Sequence, residues 1–280
     1  MSLSRRTFVA GVVAAAATAP LRARSADDLR VAFIPDIATT AASYAEKQPL
    51  ADMLGRATGR SVRIIIPTNY AAAVEAIGND GVDLAYFGAL TYVKANLRYG
   101  ARPVVQRLED RRFHALFIAS ASGASVTSLR ELKGKTFAFG DVNSTSGHLI
   151  PAKELGEAGI DTERDLKVRF TGNHTATALA VASGQVDAGA LDESVYRKMI
   201  ADKTIDAAKA RVFYTSKPFI DYVWAVRKDL DDATVTGIRH GFLQATDPKV
   251  LALLRATRYV TANDAEYDSI RDIAKKLNLL

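Results

Sequence analysis

Residues 141–151 read DVNSTSGHLIP and set three hydroxyl side chains, Ser144, Thr145 and Ser146, in a row between Asn143 and Gly147. The row follows a short apolar run that ends in glycine, TFAFG at 136–140. At such a strand-to-helix junction Ser144 can cap a helix that begins at Thr145, its oxygen accepting a free N–H of the first turn. The positive end of that turn suits an anion, and neighbouring hydroxyls add donors without adding charge. The row therefore reads either as an ordinary capped turn or as a cradle for a small oxyanion. Pro151 has no N–H, so the helix must kink there or restart. Covalent chemistry has little support elsewhere. No G-x-S-x-G nucleophile elbow occurs, and the four histidines show no metal-ligand spacing. With no cysteine there is no disulfide, thiolate ligand or lipid-anchor cysteine. The expectation is a binding protein that is not an enzyme and carries no cofactor and no metal.

A repeat shows how the row is positioned. NYAAAVEAIGNDGVDLAYFGALTYVK (69–94) aligns without a gap on NHTATALAVASGQVDAGALDESVYRK (173–198), at an offset of 104 residues. Asn69 meets Asn173, Val82-Asp83 meets Val186-Asp187, and Tyr92 meets Tyr196. Each copy predicts an Asn-capped, Ala-rich helix, a stop at Gly81 or Gly184, a short apolar strand and a second helix. Asp83 and Asp187 recur in both copies and read as structural. Buried strands are expected at 29–35 and 62–67, further strands at 115–120, 136–140, 166–170, 211–216 and 222–227, an amphipathic helix in PLADMLGRATG, and exposed helices near the C-terminus. Strands alternating with helices imply mostly parallel sheets, with ligands bound beyond the strands' carboxyl ends.

The first 25 residues read as a bacterial twin-arginine export signal: Ser4, Arg5, Arg6 and Phe8, an apolar run to Ala19, then small residues around Ser25. The apolar run is too short and Ala-rich to span a bilayer. Removing the four arginines of this leader lowers the formal charge from +6 to +2. No basic stripe for a nucleic-acid partner remains.

Taken together, NYAAAVEAI, DLAYFGALTYVKA, LKGKTFAFGDVNSTSGHLIP, NHTATALAVASGQVDAG and FIDYVWAVR resemble the periplasmic phosphonate-, phosphite- and phosphate-binding proteins of ABC transporters, with the phosphite-type branch most alike. The resemblance implies a type II periplasmic binding protein, α/β, of two lobes, each a mostly parallel sheet flanked by helices, with two crossing strands as hinge. Lobe 1 would comprise residues 26–112 and 222–280, lobe 2 residues 113–221, with crossings near 113–122 and 211–222. It implies contacts from Ser144, Thr145 and Ser146 to a small phosphorus oxyanion, and from His174 at the start of the second repeat helix. Tyr70, the matching position in the first repeat, would donate from the other lobe. Asp221 and Tyr222 sit at the second crossing. A carboxylate there would accept the P–OH of a singly protonated ligand. Sulfate, with no proton to give at neutral pH, would then face like charge. Asp192 is a further acceptor candidate. His148, at a position that the family varies, reads as structural or as a support behind the ligand contacts. Phe87 stands where family members carry a Tyr, so a hydroxyl is lost unless Tyr86 supplies it. The implied partners are the ligand and a membrane permease of an ABC transporter, the expected state a monomer, the expected location the periplasm. A sensor that presents the same ligand to a membrane histidine kinase is the alternative that the sequence leaves open.

Overall fold

The computed structural model describes residues 28–36, 41–121 and 126–280, so the leader read at 1–25 lies outside the described residues. The chain begins β1 (Asp28–Phe33), α1 (Ala41–Ala45), α2 (Gln48–Thr58), β2 (Ser61–Ile65), α3 (Tyr70–Gly78), β3 (Leu84–Phe87), α4 (Ala89–Tyr99) and β4 (Arg102–Arg107). It crosses to β5 (Ala115–Ser120), β6 (Thr136–Phe139), α5 (Ile150–Glu157), β7 (Lys167–Phe170), α6 (His174–Ala182), β8 (Ala188–Asp192), α7 (Glu193–Ala201) and β9 (Ala210–Thr215). It returns through β10 (Val223–Val226), α8 (Asp232–Leu243), α9 (Pro248–Leu253), β11 (Tyr259–Thr261) and α10 (Asp268–Lys276).

These strands form two sheets, ordered β11-β4-β10-β3-β1-β2 and β7-β6-β8-β5-β9. In the first, β1 pairs parallel with β2 and β3, while β10 runs antiparallel between β3 and β4. In the second, β6 pairs parallel with β7 and β8, while β5 runs antiparallel between β8 and β9. The reversed strands have a simple cause. A strand arriving from the other lobe enters its sheet from the cleft, at the carboxyl ends of the strands already there, and must run against them. The two connections lie side by side. Phe113 and Phe219 exchange N–H···O bonds of 2.8 and 3.0 Å, and the Asp221 N–H donates to the Asp110 carbonyl at 2.9 Å.

Alternation along β5 shows how the second sheet is covered. Leu116 and Ile118 pack with α6 and α7 residues such as Ala178 and Val195, whereas Phe117 and Ala119 face Phe137 and Leu155. The first lobe has one continuous core around Trp224, Leu54, Ile238 and Phe242.

Three local expectations change. β2 was expected to be buried but is an edge strand, bonded to β1 alone, and none of its residues is fully buried. The C-terminal helices were expected to be exposed; Ile238 and Phe242 of α8 are wholly covered against the first sheet, and Ile270 and Ala274 of α10 are wholly covered where that helix packs on α4, so only one face of each helix meets solvent. In the first repeat the left-handed residue after the helix is Asp80 (φ 53°), not Gly81; its partner at the same offset is Gly184 (φ 75°). The turn geometry is shared, and aspartate tolerates that conformation better than most side chains. The paired caps hold: Asn69 and Asn173 each accept an N–H three residues on, from Ala72 and Ala176, both at 2.8 Å.

Candidate functional site

Strand ends and helix starts converge between the sheets. The hydroxyl row follows β6 directly. Ser144 is an N-cap whose oxygen accepts the Gly147 N–H at 3.0 Å, which leaves its own proton to donate. The turn it caps, Thr145–Leu149, is a π turn, with the Leu149 N–H reaching the Ser144 carbonyl at 3.0 Å. α5 then restarts at Ile150 with Pro151 in its first turn, where a missing N–H costs nothing. Ser144, Thr145 and Ser146 are all at most 2% exposed. Gly147 is required by this crowding: a Cβ there would lie 2.9 Å from Ser144 Oγ and 3.0 Å from His174 Cε1.

Thr145 binds across the cleft, its Oγ1 accepting the Leu90 N–H of α4 at 3.0 Å. Beside it, Asp221 Oδ1 accepts the Ala89 N–H at 3.1 Å. The start of α4 is thus occupied by one carboxyl oxygen and one hydroxyl. Gly88 leaves room for both, since a Cβ there would stand 3.1 Å from Thr145 Oγ1 and 3.4 Å from Asp221 Oδ1. The other carboxyl oxygen, Asp221 Oδ2, is buried and has no hydrogen-bond partner among the described residues. Burial pushes this carboxyl up to about 8, against smaller opposing effects of the Ala89 N–H and Thr145. At neutral pH Asp221 therefore holds a proton already. That revises the expected exclusion of sulfate: like-charge repulsion from Asp221 grows as the pH rises through about 8, and below that the carboxyl is mainly a donor.

His174 begins α6, and its backbone N–H donates to the Asp36 carbonyl of the other lobe at 3.0 Å. Its ring is fully buried, and burial lowers its proton affinity, outweighing nearby Asp192 and Asp36. The Asp192 N–H points at His174 Nδ1 at 3.3 Å, so that nitrogen carries the lone pair. The neutral ring then has its proton on Nε2, directed at the Tyr222 hydroxyl 3.4 Å away. With its oxygen accepting, Tyr222 is free to donate its own proton. Its ring is fixed by stacking on Tyr86, with centroids 4.9 Å apart and planes 9° apart, and by the Arg107 guanidinium 5.1 Å from its centroid.

Tyr70, the first residue of α3, is buried, and its hydroxyl has no hydrogen-bond partner among the described residues. The Tyr86 hydroxyl is likewise buried and without a partner among the described residues, so a phenol is present next to Phe87 in the sequence. Asp192 does mainly structural work: Oδ1 caps α7 by accepting from the Ser194 and Val195 N–H groups, while Oδ2 is buried without a partner among the described residues. His148 is wedged against Phe139 and Phe170, with Nδ1 2.8 Å from the Val142 carbonyl. Asp83 binds Arg30 and Arg227, and Asp187 binds Thr136. These last three support the fold, as their pattern suggested.

Asp36 was not anticipated. It keeps some exposed surface, yet desolvation raises its carboxyl, against the nearby Arg255 charge. Its place just past the end of β1 was a usable signal, since ligands gather at such ends. The arrangement offers hydroxyl donors, one imidazole-oriented phenol and one protonated carboxyl, with no arginine among Tyr70, Ser144, Thr145, Ser146, His174, Asp192, Asp221 and Tyr222. It suits a small anion with several oxygens.

Residues 31–267 match the family model described as the periplasmic substrate-binding protein of the phosphonate ABC transporter. A probable ABC transporter phosphite-binding protein of Prochlorococcus marinus, PhnD1, is 30% identical over 234 residues, covering 78% of this chain and 79% of its own. A phosphate-import protein of Mycolicibacterium smegmatis, PhnD, is 29% identical over 274 residues, covering 85% of each. The solved structure of the Prochlorococcus protein with methylphosphonate superposes with a TM-score of 0.83 at 28% identity, covering 91% of this chain and 99% of that one.

Proposed function

From its membership of the phosphonate substrate-binding family of ABC transporters, we propose that this chain captures a small phosphorus oxyanion between its lobes, phosphite before a short alkylphosphonate or phosphate. Ser144, Thr145 and Ser146 donate from lobe 2, Tyr70 from lobe 1, and Tyr222 through its His174-oriented hydroxyl. Asp221 shares one proton with a ligand oxygen. Asp192 acts from behind, holding His174. Lobe 1 comprises residues 26–112 and 222–280, and lobe 2 residues 113–221. The loaded monomer passes its ligand to a membrane permease, and it binds no nucleic acid. Residues 1–25 direct export to the periplasm by the twin-arginine route and are then removed; accumulation of the Arg5→Lys, Arg6→Lys protein in the periplasm would refute that route.

The observation that carries the reading is the buried, unpartnered Asp221 Oδ2 beside the hydroxyl row, on a carboxyl pushed up to about 8. Phosphorus oxyanions have oxygens basic enough to share that proton; sulfate oxygens are much poorer acceptors. A thermal-shift screen tests it, because a ligand that binds only the folded state raises the melting temperature. Phosphite and methylphosphonate should raise it, and sulfate should raise it far less. No shift with any phosphorus oxyanion would overturn the reading.

A further inference from the structure

Arg255 follows α9 and has a left-handed backbone, φ 59°, which arginine rarely adopts. Among the described residues its guanidinium makes one hydrogen bond, and that bond leaves the lobe: Nε donates to Ser194 Oγ at 3.0 Å, 61 residues away at the start of α7. Among the described residues no carboxylate forms an ion pair with it. Ser194 Oγ in turn donates to Asp192 Oδ1 at 2.6 Å, and the Asp192 N–H is the group that fixes the His174 tautomer. The guanidinium also stands between two hollows. One, of about 60 Å³, is lined by Asp36, Lys47 and Lys198; the other, of about 610 Å³, runs between the lobes past Arg107, Glu193 and Arg197. Its charge lowers the proton affinity of both Asp36 and Asp192.

We propose that Arg255 is a latch between the lobes, a positioning residue that holds α7 of lobe 2 against lobe 1 and so keeps the cleft shut behind a bound anion. Other bonds across the cleft lie elsewhere: Leu90 to Thr145, Thr91 to Asn143 and Lys94 to Asn143 run between α4 and the hydroxyl-row loop, and the His174 N–H at the start of α6 reaches the Asp36 carbonyl. Arg255 closes the separate seam along α7. An uncompensated cation there also offsets the carboxylates that would otherwise repel the ligand. The retention half of this inference rests on the proposed ligand; the contact between lobes does not.

The test uses Arg255→Gly, because glycine suits a positive φ and removes the guanidinium without straining the backbone. The chain has no cysteine, so exposed Leu97 in lobe 1 and Leu179 in lobe 2 can each be changed to Cys and spin-labelled for pulsed distance measurement. In the ligand-free protein the glycine variant should lose population at the short interlobe distance. Phosphite should leave it at least about tenfold faster, with an association rate within about twofold of wild type. Arg255→Gln, which keeps a donor but no charge, should fall between the two. A glycine variant that keeps the wild-type distances overturns the latch, and so does an unchanged dissociation rate. If the wild type binds no phosphite, the proposed ligand fails, and the distance distribution alone decides the latch.

Discussion

Asp221 meets neutral pH with a proton in place, and that has two consequences. The unfolded chain ionises this group near 3.8, the folded ligand-free chain near 8. Between those values the folded state holds a proton that the unfolded state has shed, so rising pH favours unfolding. Asp221→Asn removes that penalty. In the ligand-free protein its melting-temperature advantage over wild type should be absent below about pH 4, grow up to about pH 8 and level off above. Thermal scans of both proteins across that range check this, and a constant difference would contradict the assigned burial effect. The second consequence is for binding. The same proton is the bond offered to the ligand, so affinity should fall above about pH 8 by up to tenfold per pH unit as it is lost. Arg107 and Asp110 nearby form a buried pair, 1% and 0% exposed, at the first crossing. Breaking it would leave a buried charge alone, so it is a poor place to probe binding without also losing stability.

At the scale of elements, the capped π turn couples fold to site. Ser144 caps the turn by accepting the Gly147 N–H, which leaves its hydroxyl proton to donate. Ser144→Ala should cost about 1 kcal/mol of stability as a lost cap, read by chemical denaturation, and weaken phosphite binding by roughly tenfold as a lost donor to a charged oxygen. A variant with the stability loss but normal affinity would confine the residue to capping. Much of this level was legible in the sequence. The paired Asn caps, the strand before the hydroxyl row and the restart at Pro151 all follow from side-chain hydrogen bonding and missing N–H groups. The misses have physical reasons. β2 and the C-terminal helices carry enough apolar residues to be buried, but how much of each is covered depends on neighbours that only the assembled sheet supplies. Asp80 was overlooked because glycine is the usual residue at positive φ. Arg255 gave no signal at all, since neither its backbone conformation nor its contact with Ser194 has a local sequence pattern. The site residues came from a family resemblance; the structure adds their geometry, including the Asp192 N–H that sets the His174 tautomer and the burial that raises the Asp221 carboxyl.

Over the whole molecule, bonds across the cleft join the lobes in this structure: His174 to Asp36, Leu90 to Thr145, Lys94 to Asn143 and Arg255 to Ser194. None of them is covalent, and the crossings are two short segments, 108–114 and 216–222, shifted from the expected 113–122 and 211–222 because β5 and β9 belong to the second sheet; opening by rotation about them is the motion that the architecture permits. Small-angle scattering should show a smaller radius of gyration with saturating phosphite than without, and identical profiles for a demonstrably loaded protein would count against hinge closure. The central claim is narrower: the cleft recognises a phosphorus oxyanion by sharing one proton with Asp221. Titration calorimetry of phosphite and sulfate, on wild type and Asp221→Asn at pH 7 and pH 9, tests it most directly. The account predicts that wild type prefers phosphite at pH 7 and binds it about tenfold more weakly at pH 9. The Asn variant should show both a smaller preference and a flatter pH response. Wild type that binds sulfate as tightly as phosphite, or a pH response identical in the two proteins, would contradict it.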